Sequence, residues 1–219
     1  MSDKRIILLC GHYGSGKTNV AVNLAHALKK EHARVTVADL DIVNPYFRSK
    51  DSQKELEQAG IRLICSEYAN TNVDIPALPQ ELYAITDDHS HRVVLDIGGD
   101  DRGALVLGRI APAILEEGNY EMLLVINCYR PLTRDAISTL EVMKEIETAG
   151  GIRFTGLVNN SNLGAETTAE DVLSSVSYAE EVSELAGIPV VMTAASDFLF
   201  DEIRERVPHP FPLHLQKKI

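Results

Sequence analysis

The sequence predicts an α/β fold with a mostly parallel central sheet and helices on both faces. Apolar runs of strand length alternate with segments of helical periodicity, and the strand-like runs are apolar throughout instead of alternating with polar residues. Strands have this composition when helices cover both faces of a parallel sheet. The 219 residues suit one domain spanning 1–219, because the chain contains no internal repeat, low-complexity tract or linker.

The predicted elements follow one another in the order strand, helix, strand. The first helix carries Val20, Leu24, Ala27 and Leu28 on one face, and three prolines after residue 207 exclude a helix in the tail. The predicted strands are residues 4–10, 34–41, 61–65, 91–99, 120–128, 153–160 and 188–194. The predicted helices are residues 17–30, 50–60, 133–149, 168–186 and 198–207. The least regular segment, 66–90, is expected to form an excursion over the sheet edge.

The composition limits the classes of partner. The net charge of −11 argues against binding along a nucleic-acid backbone or an anionic membrane surface, both of which need clustered Lys and Arg. No stretch has the apolar length of a spanning helix, and the amino terminus has no signal-peptide pattern, so we expect a cytoplasmic protein. The three cysteines are widely spaced, which favours buried reduced thiols.

A glycine-rich loop joins the first strand to the first helix. Residues 11–18, GHYGSGKT, fit the pattern G-x-x-x-x-G-K-[ST]. Its glycines allow successive backbone N–H groups to surround phosphate oxygens, and the helix amino terminus adds a positive dipole end. Lys17 is expected to reach the β- and γ-phosphates, and the Thr18 hydroxyl to ligate Mg²⁺. The alternative is a glycine-rich turn with an exposed lysine.

A second polar position follows a later strand. The run VVLDIGG delivers Asp96 to the carboxyl end of that strand, where its carboxylate could hold a Mg²⁺-bound water. Gly98 and Gly99 then allow the backbone to approach a γ-phosphate. The alternative is that Asp96 caps the end of a strand.

These motifs give the sequence a family resemblance. The loop, the D-x-D at Asp39 and Asp41, and D-I-G-G at 96–99 together resemble the MinD/ParA group of P-loop ATPases. The wider class includes the nitrogenase iron protein and the amidoligases of cobalamin synthesis. The resemblance implies a P-loop NTPase fold, Rossmann-like and three-layered, with ATP and Mg²⁺ as cofactors.

The resemblance also implies roles for individual residues. Asp39 joins Thr18 and Asp96 around the metal, while Lys17 and Asp41 are catalytic and Asp41 orients the attacking water. Residues 41–48 and 98–103 correspond to the two switch segments. The predicted nucleotide-binding residues are Gly11, His12, Tyr13, Gly14, Ser15, Gly16, Lys17, Thr18, Asn19, Gly99, Asn159 and Asn160.

Recognition of the base is expected after a late strand. GLVNN places Asn159 and Asn160 there, and an asparagine amide both donates to and accepts from an adenine edge. Asn159 is the preferred residue for contacting the base. The alternative is that the two asparagines only form a turn. Residues 193–196 could also touch the base through their backbone. The chain has no N-K-x-D guanine motif, so ATP is predicted. Three arginines are further candidates for contacts with phosphate or with a partner: Arg48, Arg102 and Arg109. The alternative is that each of them forms an ion pair on the surface.

One position departs from the family pattern. MinD and ParA proteins have a second lysine early in the loop that reaches the nucleotide of the other subunit, and this chain has His12 there. A histidine is shorter and is not a fixed cation near pH 7, so the usual ATP-sandwich homodimer is placed in question. The tail is not a basic amphipathic helix, which disfavours a MinD-like membrane anchor.

Three functions compete at this level. The preferred one is a slow ATP hydrolase that acts as a nucleotide-dependent switch on an unidentified protein partner. The alternative is a small-molecule kinase or a carboxylate-activating ligase of the dethiobiotin synthetase or cobyrinate amidoligase type, with a substrate beneath 66–90. A binding module that holds nucleotide only for stability is the third.

Overall fold

The strands assemble into one sheet in which every registered pair is parallel. The computed structural model describes residues 3–41, 50–65 and 88–214 together with residues 82 and 85. Within them the strands are β1 Ile6–Gly11, β2 Val35–Asp39, β3 Arg62–Cys65, β4 Arg92–Gly98, β5 Tyr120–Ile126, β6 Gly156–Asn159, β7 Val190–Ser196 and β8 Pro210–Leu213. The helices are α1 Lys17–Glu31, α2 Lys50–Gln58, α3 Asp101–Glu117, α4 Ala136–Gly150, α5 Ala169–Ala186 and α6 Asp197–Ile203.

The order of the strands places the glycine-rich loop at the middle of the sheet. The order is β3-β2-β4-β1-β5-β6-β7-β8, so β1 lies between β4 and β5. Leu9 of β1 is in register with Asp96 of β4, and Asp96 is in register with Asp39 of β2. The carboxyl ends of these three strands therefore meet at one edge, the edge from which residues 11–18 continue.

Helices cover both faces of the sheet and divide the core into two main clusters. One cluster packs α1 and α2 against alternate residues of the central strands, such as Ile7 and Leu9. The other packs α3, α4 and α5 against the residues between them, such as Leu8 and Cys10. Alternate side chains of β1 therefore pack into the two core clusters on opposite faces of the sheet, as expected for a parallel strand covered on both faces. This confirms the predicted three-layer α/β fold.

Helix α3 is absent from the sequence-based prediction. Two glycines and Pro112 interrupt its pattern, and each lowers the helical propensity of an isolated segment. Its start is nevertheless well defined, because the Asp100 side chain accepts a hydrogen bond of 2.9 Å from the Gly103 amide. A Cβ at Gly103 would overlap the Gly98 carbonyl, so the glycine permits the tight passage from β4 into α3.

Strand β8 is also absent from the prediction. The prolines that exclude a helix after residue 207 do not exclude a strand, because β8 is at the edge of the sheet. Pro210 and Pro212 pair with Thr193 and Ala195 of β7 in parallel register. The predicted excursion over 66–90 and the switch residues 42–48 lie outside the described residues, apart from Leu82, Ile85 and 88–90 in the former.

Candidate functional site

The glycine-rich loop wraps around the amino terminus of α1. Gly14 and Gly16 have φ values of 80° and 83°, a left-handed conformation that glycine adopts without strain. The Ser15 amide donates to the His12 carbonyl at 3.1 Å and closes the turn. Helix α1 begins at Lys17, so its unpaired amides and positive dipole end face the loop. The backbone therefore has the form of an anion-binding loop.

Lys17 and Asp41 form a buried ion pair at the base of this loop. Lys17 Nζ lies 2.7 Å from Asp41 Oδ2, and the two side chains are 7% and 4% exposed. Burial alone would lower the pKa of Lys17, but the neighbouring Asp96 and Asp41 carboxylates raise it above its usual value. The lysine is thus held as a cation within a cluster of acids.

Thr18 connects the same loop to β4. Its hydroxyl donates to Asp96 Oδ2 at 2.5 Å, while Asp96 Oδ1 is buried and has no hydrogen-bond partner among the described residues. Burial raises the pKa of Asp96 to about 6, against the opposing effects of Lys17 and the Thr18 hydrogen bond. On β2, Asp39 Oδ1 accepts the Asp41 amide at 3.1 Å. Thr18, Asp39 and Asp96 therefore lie on neighbouring elements at one sheet edge.

These oxygen donors suit Mg²⁺. The unsatisfied Asp96 oxygen provides an acceptor for a metal-bound water, and the Thr18 hydroxyl is a hard oxygen ligand. In the described part of the chain no three His, Cys, Asp or Glu side chains form a ready-made metal cage. Magnesium does not require one, since it retains waters and shares its coordination with phosphates. The residues present fit such an ion.

Gly99 lies directly against the loop. A Cβ at this position would overlap the Gly11 carbonyl, so only glycine permits the close approach of the two backbones. Gly98 in turn lies beside Asp41, whose Oδ1 would be 3.4 Å from a Cβ built there. The turn after β4 therefore packs against the glycine-rich loop and against Asp41, the catalytic candidate that follows β2.

A separate cleft opens beside Gly16. Asn160 is among the residues that line it. Asn160 Nδ2 donates to the Ser15 carbonyl at 2.7 Å and leaves its Oδ1 buried without a partner among the described residues. Asn19 and Ser196 also line this cleft, and Asn19 Oδ1 and Ser196 Oγ are likewise buried without a hydrogen-bond partner among the described residues. Three buried oxygens without hydrogen-bond partners among the described residues thus belong to side chains that line this cleft.

Asn159 occupies a different environment from Asn160. Its Nδ2 donates to Ser175 Oγ of α5 at 2.9 Å, and its Oδ1 accepts the Ser161 amide. Asn159 is not among the residues that line the cleft. The two side chains differ because successive residues at the end of β6 point to opposite faces of the sheet, one towards α5 and the next towards the loop.

Several of the predicted residues lie around a second cavity. His12, Tyr13, Lys17, Asp41 and Gly99 all line it. Tyr13 is 66% exposed, so it is available to a ligand or partner. Arg109 is exposed on α3, whereas Arg48 and the side chain of Arg102 lie outside what the structure describes.

Sequence analysis missed the loop that follows β5. Asn127, fully buried at the end of β5, accepts the amides of Tyr129 and Asn162. Arg130 Nε then donates to the Gly14 carbonyl at 2.8 Å. The available signal was an asparagine directly after a buried strand that neighbours β1, in the run NCYRP.

The fold and this edge define the class of protein. A central parallel strand runs into a glycine-rich loop, a lysine and a threonine begin the helix, and carboxylates follow the two strands alongside; this is a P-loop NTPase nucleotide-binding domain. Residues 6–189 match the sequence profile of CbiA, the CobQ/CobB/MinD/ParA nucleotide binding domain. The chain belongs to this family, which confirms the resemblance found in its motifs.

Solved structures with the same fold are more distant. The cell division protein FtsY of Thermotoga maritima has a TM-score of 0.61 at 17% identity, over 89% of this chain and 62% of that one. Chloroplast FtsY of Physcomitrella patens has a TM-score of 0.58 at 19% identity, over 88% of this chain and 59% of that one. FlhF complexed with GTP and Mg²⁺ gives 0.50 at 16%, over 86% and 64%. The chain thus spans less than two thirds of these proteins.

Two further comparisons give negative results. A search of curated proteins finds no match to this chain. Among the described helices, none has both the length and the apolar composition that crossing a membrane requires.

Proposed function

We propose that this protein is a Mg²⁺-dependent ATP hydrolase that acts as a nucleotide-dependent switch on a protein partner. The observation that carries the proposal is the junction at which Lys17 and Thr18 contact Asp41 and Asp96. A glycine-rich turn alone would bind an anion, but buried carboxylates are costly and need a function that requires them. Metal-assisted hydrolysis of a polyphosphate requires such groups.

The phosphates bind to the loop and the metal binds beside it. The amides of residues 11–18 and the Lys17 ammonium contact the phosphate oxygens, and Gly99 allows the second backbone to approach. Thr18, Asp39 and Asp96 hold Mg²⁺ directly or through water. The ion, when bound, neutralises charge that develops on the β- and γ-phosphate oxygens.

Asp41 is the group that orients the attacking water. In the structure its carboxylate is paired with Lys17. A γ-phosphate competes for that lysine, and the released carboxylate accepts a hydrogen bond from water near the phosphate. Since Asp41 is the first residue of the predicted first switch segment, 41–48, the change of partner at Asp41 is the event that a switch would transmit.

Adenine is the base that the cleft favours. The buried oxygens of Asn160, Asn19 and Ser196 lack hydrogen-bond partners in the described part of the chain, and the adenine amino group is a donor. No carboxylate lines this cleft among the described residues, and a carboxylate is the side chain that best accepts from both donors of a guanine edge. The GTP in the FlhF complex is bound to a protein that is only 16% identical to this chain, and this likeness supports only the fold.

A second function has one observation in its favour. The second cavity is lined by Leu132 and Glu145 as well as by Lys17, Asp41 and Gly99. A small substrate held there would lie beside the γ-phosphate, which suits a kinase or a carboxylate-activating ligase. Such an enzyme would show a large rise in nucleotide turnover with its substrate, whereas the switch would show slow turnover alone.

The first experiment combines turnover with molecular mass. Phosphate release is measured with ATP and with GTP, each with Mg²⁺ and with excess chelator. Light scattering is then recorded with Mg-ADP and with a non-hydrolysable ATP analogue. Slow, Mg²⁺-dependent turnover that prefers ATP supports the hydrolase, and a mass that depends on the analogue supports a switch that forms a homodimer despite His12. A lack of nucleotide binding refutes the proposal.

A further inference from the structure

Arg130 is the guanidinium that the fold places against the phosphate-binding loop. Its Nε donates to the Gly14 carbonyl at 2.8 Å. A Cβ at Gly14 would lie 3.3 Å from the same Nε, and Gly14 has a φ of 80°. The glycine therefore permits both the turn of the loop and the close approach of the arginine. No motif identified in the sequence includes this contact.

The segment that carries Arg130 is fixed on several sides. The Asn127 carbonyl accepts the Thr133 hydroxyl at 2.7 Å and the Arg130 amide at 3.1 Å. The Tyr129 hydroxyl donates to the Asp171 carbonyl of α5 at 2.9 Å. Arg130 is thus held by main-chain and side-chain bonds on its own loop, and its contact with Gly14 is not a chance position of a free surface side chain.

The charge of the site requires more cations than Lys17 supplies. Asp39, Asp41 and Asp96 carry three potential negative charges at this edge, and Lys17 is already paired with Asp41. Within the described residues no carboxylate lies in ion-pair contact with Arg130, although it is only partly exposed. Arginine remains charged at physiological pH, so its positive charge is available to the loop.

We propose that Arg130 is a positioning residue for the bound nucleotide. Through the Gly14 carbonyl it holds the loop in the conformation that directs its amides at phosphate, and it adds a positive charge beside the loop. This rests on the proposed function only in that residues 11–18 bind a nucleotide. Since the contact is with the loop backbone, the effect is the same for a diphosphate and a triphosphate.

Three substitutions separate the hydrogen bond from the charge. Arg130→Ala removes both, Arg130→Gln keeps a donor without charge, and Arg130→Lys keeps a charged donor. Arg134→Ala is the matched control, because Arg134 is four residues away, is 76% exposed and contacts only Asp135 among the described residues. Binding of Mg-ADP and Mg-ATP is measured by calorimetry, with kcat and thermal unfolding recorded for each variant.

Arg130→Ala is expected to weaken the binding of both nucleotides by about tenfold, as for the loss of one charge-assisted hydrogen bond. The kcat stays within about twofold, because a contact made equally in ground and transition state changes binding alone. The nucleotide affinity of Arg130→Lys is expected to be closer to that of the wild type than the affinity of Arg130→Gln is. The affinity of Arg134→Ala should equal that of the wild type. Unaltered affinity of Arg130→Ala, beside wild-type protein that binds nucleotide, would refute the positioning role while leaving the proposed function intact.

Hydrogen exchange gives a readout that does not depend on nucleotide. The amides of residues 11–18 are compared in nucleotide-free wild type, Arg130→Ala and Arg130→Lys. Faster exchange in Arg130→Ala, reversed in Arg130→Lys, supports the positioning of the loop. Equal exchange in all three proteins contradicts it, even if the alanine variant proves too unstable for binding measurements.

Discussion

Lys17 and Asp41 neutralise one another, with 2.7 Å between Nζ and Oδ2 and both side chains buried. The pair joins the start of α1 to a residue that follows β2. The lysine is thereby kept in place and charged. If Lys17 binds the γ-phosphate as proposed, the phosphate competes with the Asp41 carboxylate for it.

Asp41→Asn is therefore expected to separate binding from turnover. Loss of the general base or water-orienting group lowers kcat by about 10²-fold or more. The affinity for Mg-ATP is maintained or increased, because the phosphate no longer competes with a carboxylate for Lys17. Phosphate release and calorimetry measure the two effects. Asp201→Asn, on a side chain that is 92% exposed, is the control, and unchanged turnover in Asp41→Asn would contradict the assignment.

Asp96→Asn is expected to make the nucleotide-free protein more stable and less responsive to Mg²⁺. Burial raises the pKa of Asp96 to about 6, above its unfolded value, so the native state binds more protons between about pH 4 and 6. This carboxyl therefore contributes stability below that range, and the contribution is lost as the pH rises through 6. Asparagine removes the cost of burying the charge at pH 7.5.

Thermal unfolding tests this prediction. At pH 7.5 the Asp96→Asn variant should unfold at a higher temperature than wild type without ligand, and the difference should shrink at pH 5. The additional stabilisation by Mg-ATP over ATP with chelator should be lost. A variant that is less stable at pH 7.5 and keeps its response to Mg²⁺ would show that Asp96 has only a structural role.

The two adjacent asparagines should separate into a binding and a structural residue. Asn160 bonds the Ser15 carbonyl and lines the cleft, so Asn160→Ala should weaken Mg-ATP binding by about tenfold. Asn159 bonds Ser175 in the interior, so Asn159→Ala should lower stability by about 1–3 kcal/mol with little change in affinity. Calorimetry and urea unfolding of both variants give the comparison. The opposite pattern would restore the preference for Asn159 as the base-recognition residue.

Gly99→Ala should disrupt nucleotide binding through the backbone. The added methyl group would overlap the Gly11 carbonyl and force the two loops apart. A substantial loss of affinity for both Mg-ADP and Mg-ATP is expected, and fluorescence of a labelled nucleotide would measure it. Gly108→Ala is the matched control, because its Cβ would meet only the Ala149 carbonyl at 3.4 Å and alanine favours a helix. Equal affinity in the two variants would contradict the close approach.

Glu117→Ala should destabilise the fold without altering the site. Glu117, at the end of α3, pairs with the buried Arg5 before β1, and the hydrogen bonds from Arg5 hold the pKa of Glu117 below its usual value. Removing the carboxylate leaves a buried guanidinium unpaired, at a cost of about 3 kcal/mol.

Urea unfolding of Glu117→Ala at pH 7 measures this cost, with Glu116→Ala on the exposed side of the same turn as control. In the wild type, Glu117 contributes to the free energy of unfolding at pH values above the pKa that it has in the unfolded chain. This contribution is lost as the pH falls through the lower pKa that Glu117 has in the native protein. A difference between the two variants below about 0.5 kcal/mol would show that the pair is not significant.

The sequence predicted the sheet better than it predicted the details of the site. Apolar runs identified seven strands because a doubly covered strand has no polar face, and the loop at 11–18 was evident from its glycines and lysine. Helix α3 was missed because its glycines serve the tight passage from β4 and lower its local propensity. The choice between Asn159 and Asn160 depended on the phase of a four-residue strand, which no local pattern gives. The contact of Arg130 with Gly14 joins two loops that are distant in sequence.

The position of β1 also determines when the protein can fold. Ile6 pairs with Val93 on one side and with Tyr120 on the other, and neither partner is near it in sequence. A ribosome must therefore translate past residue 92 before the first strand gains its first neighbour, and past residue 119 before it gains the second. Pairings of this kind require closure of long loops before any compensating contact forms, which slows folding. During synthesis the apolar first strand remains a nascent segment that chaperones can bind, and the phosphate-binding loop matures late, after its scaffold is complete.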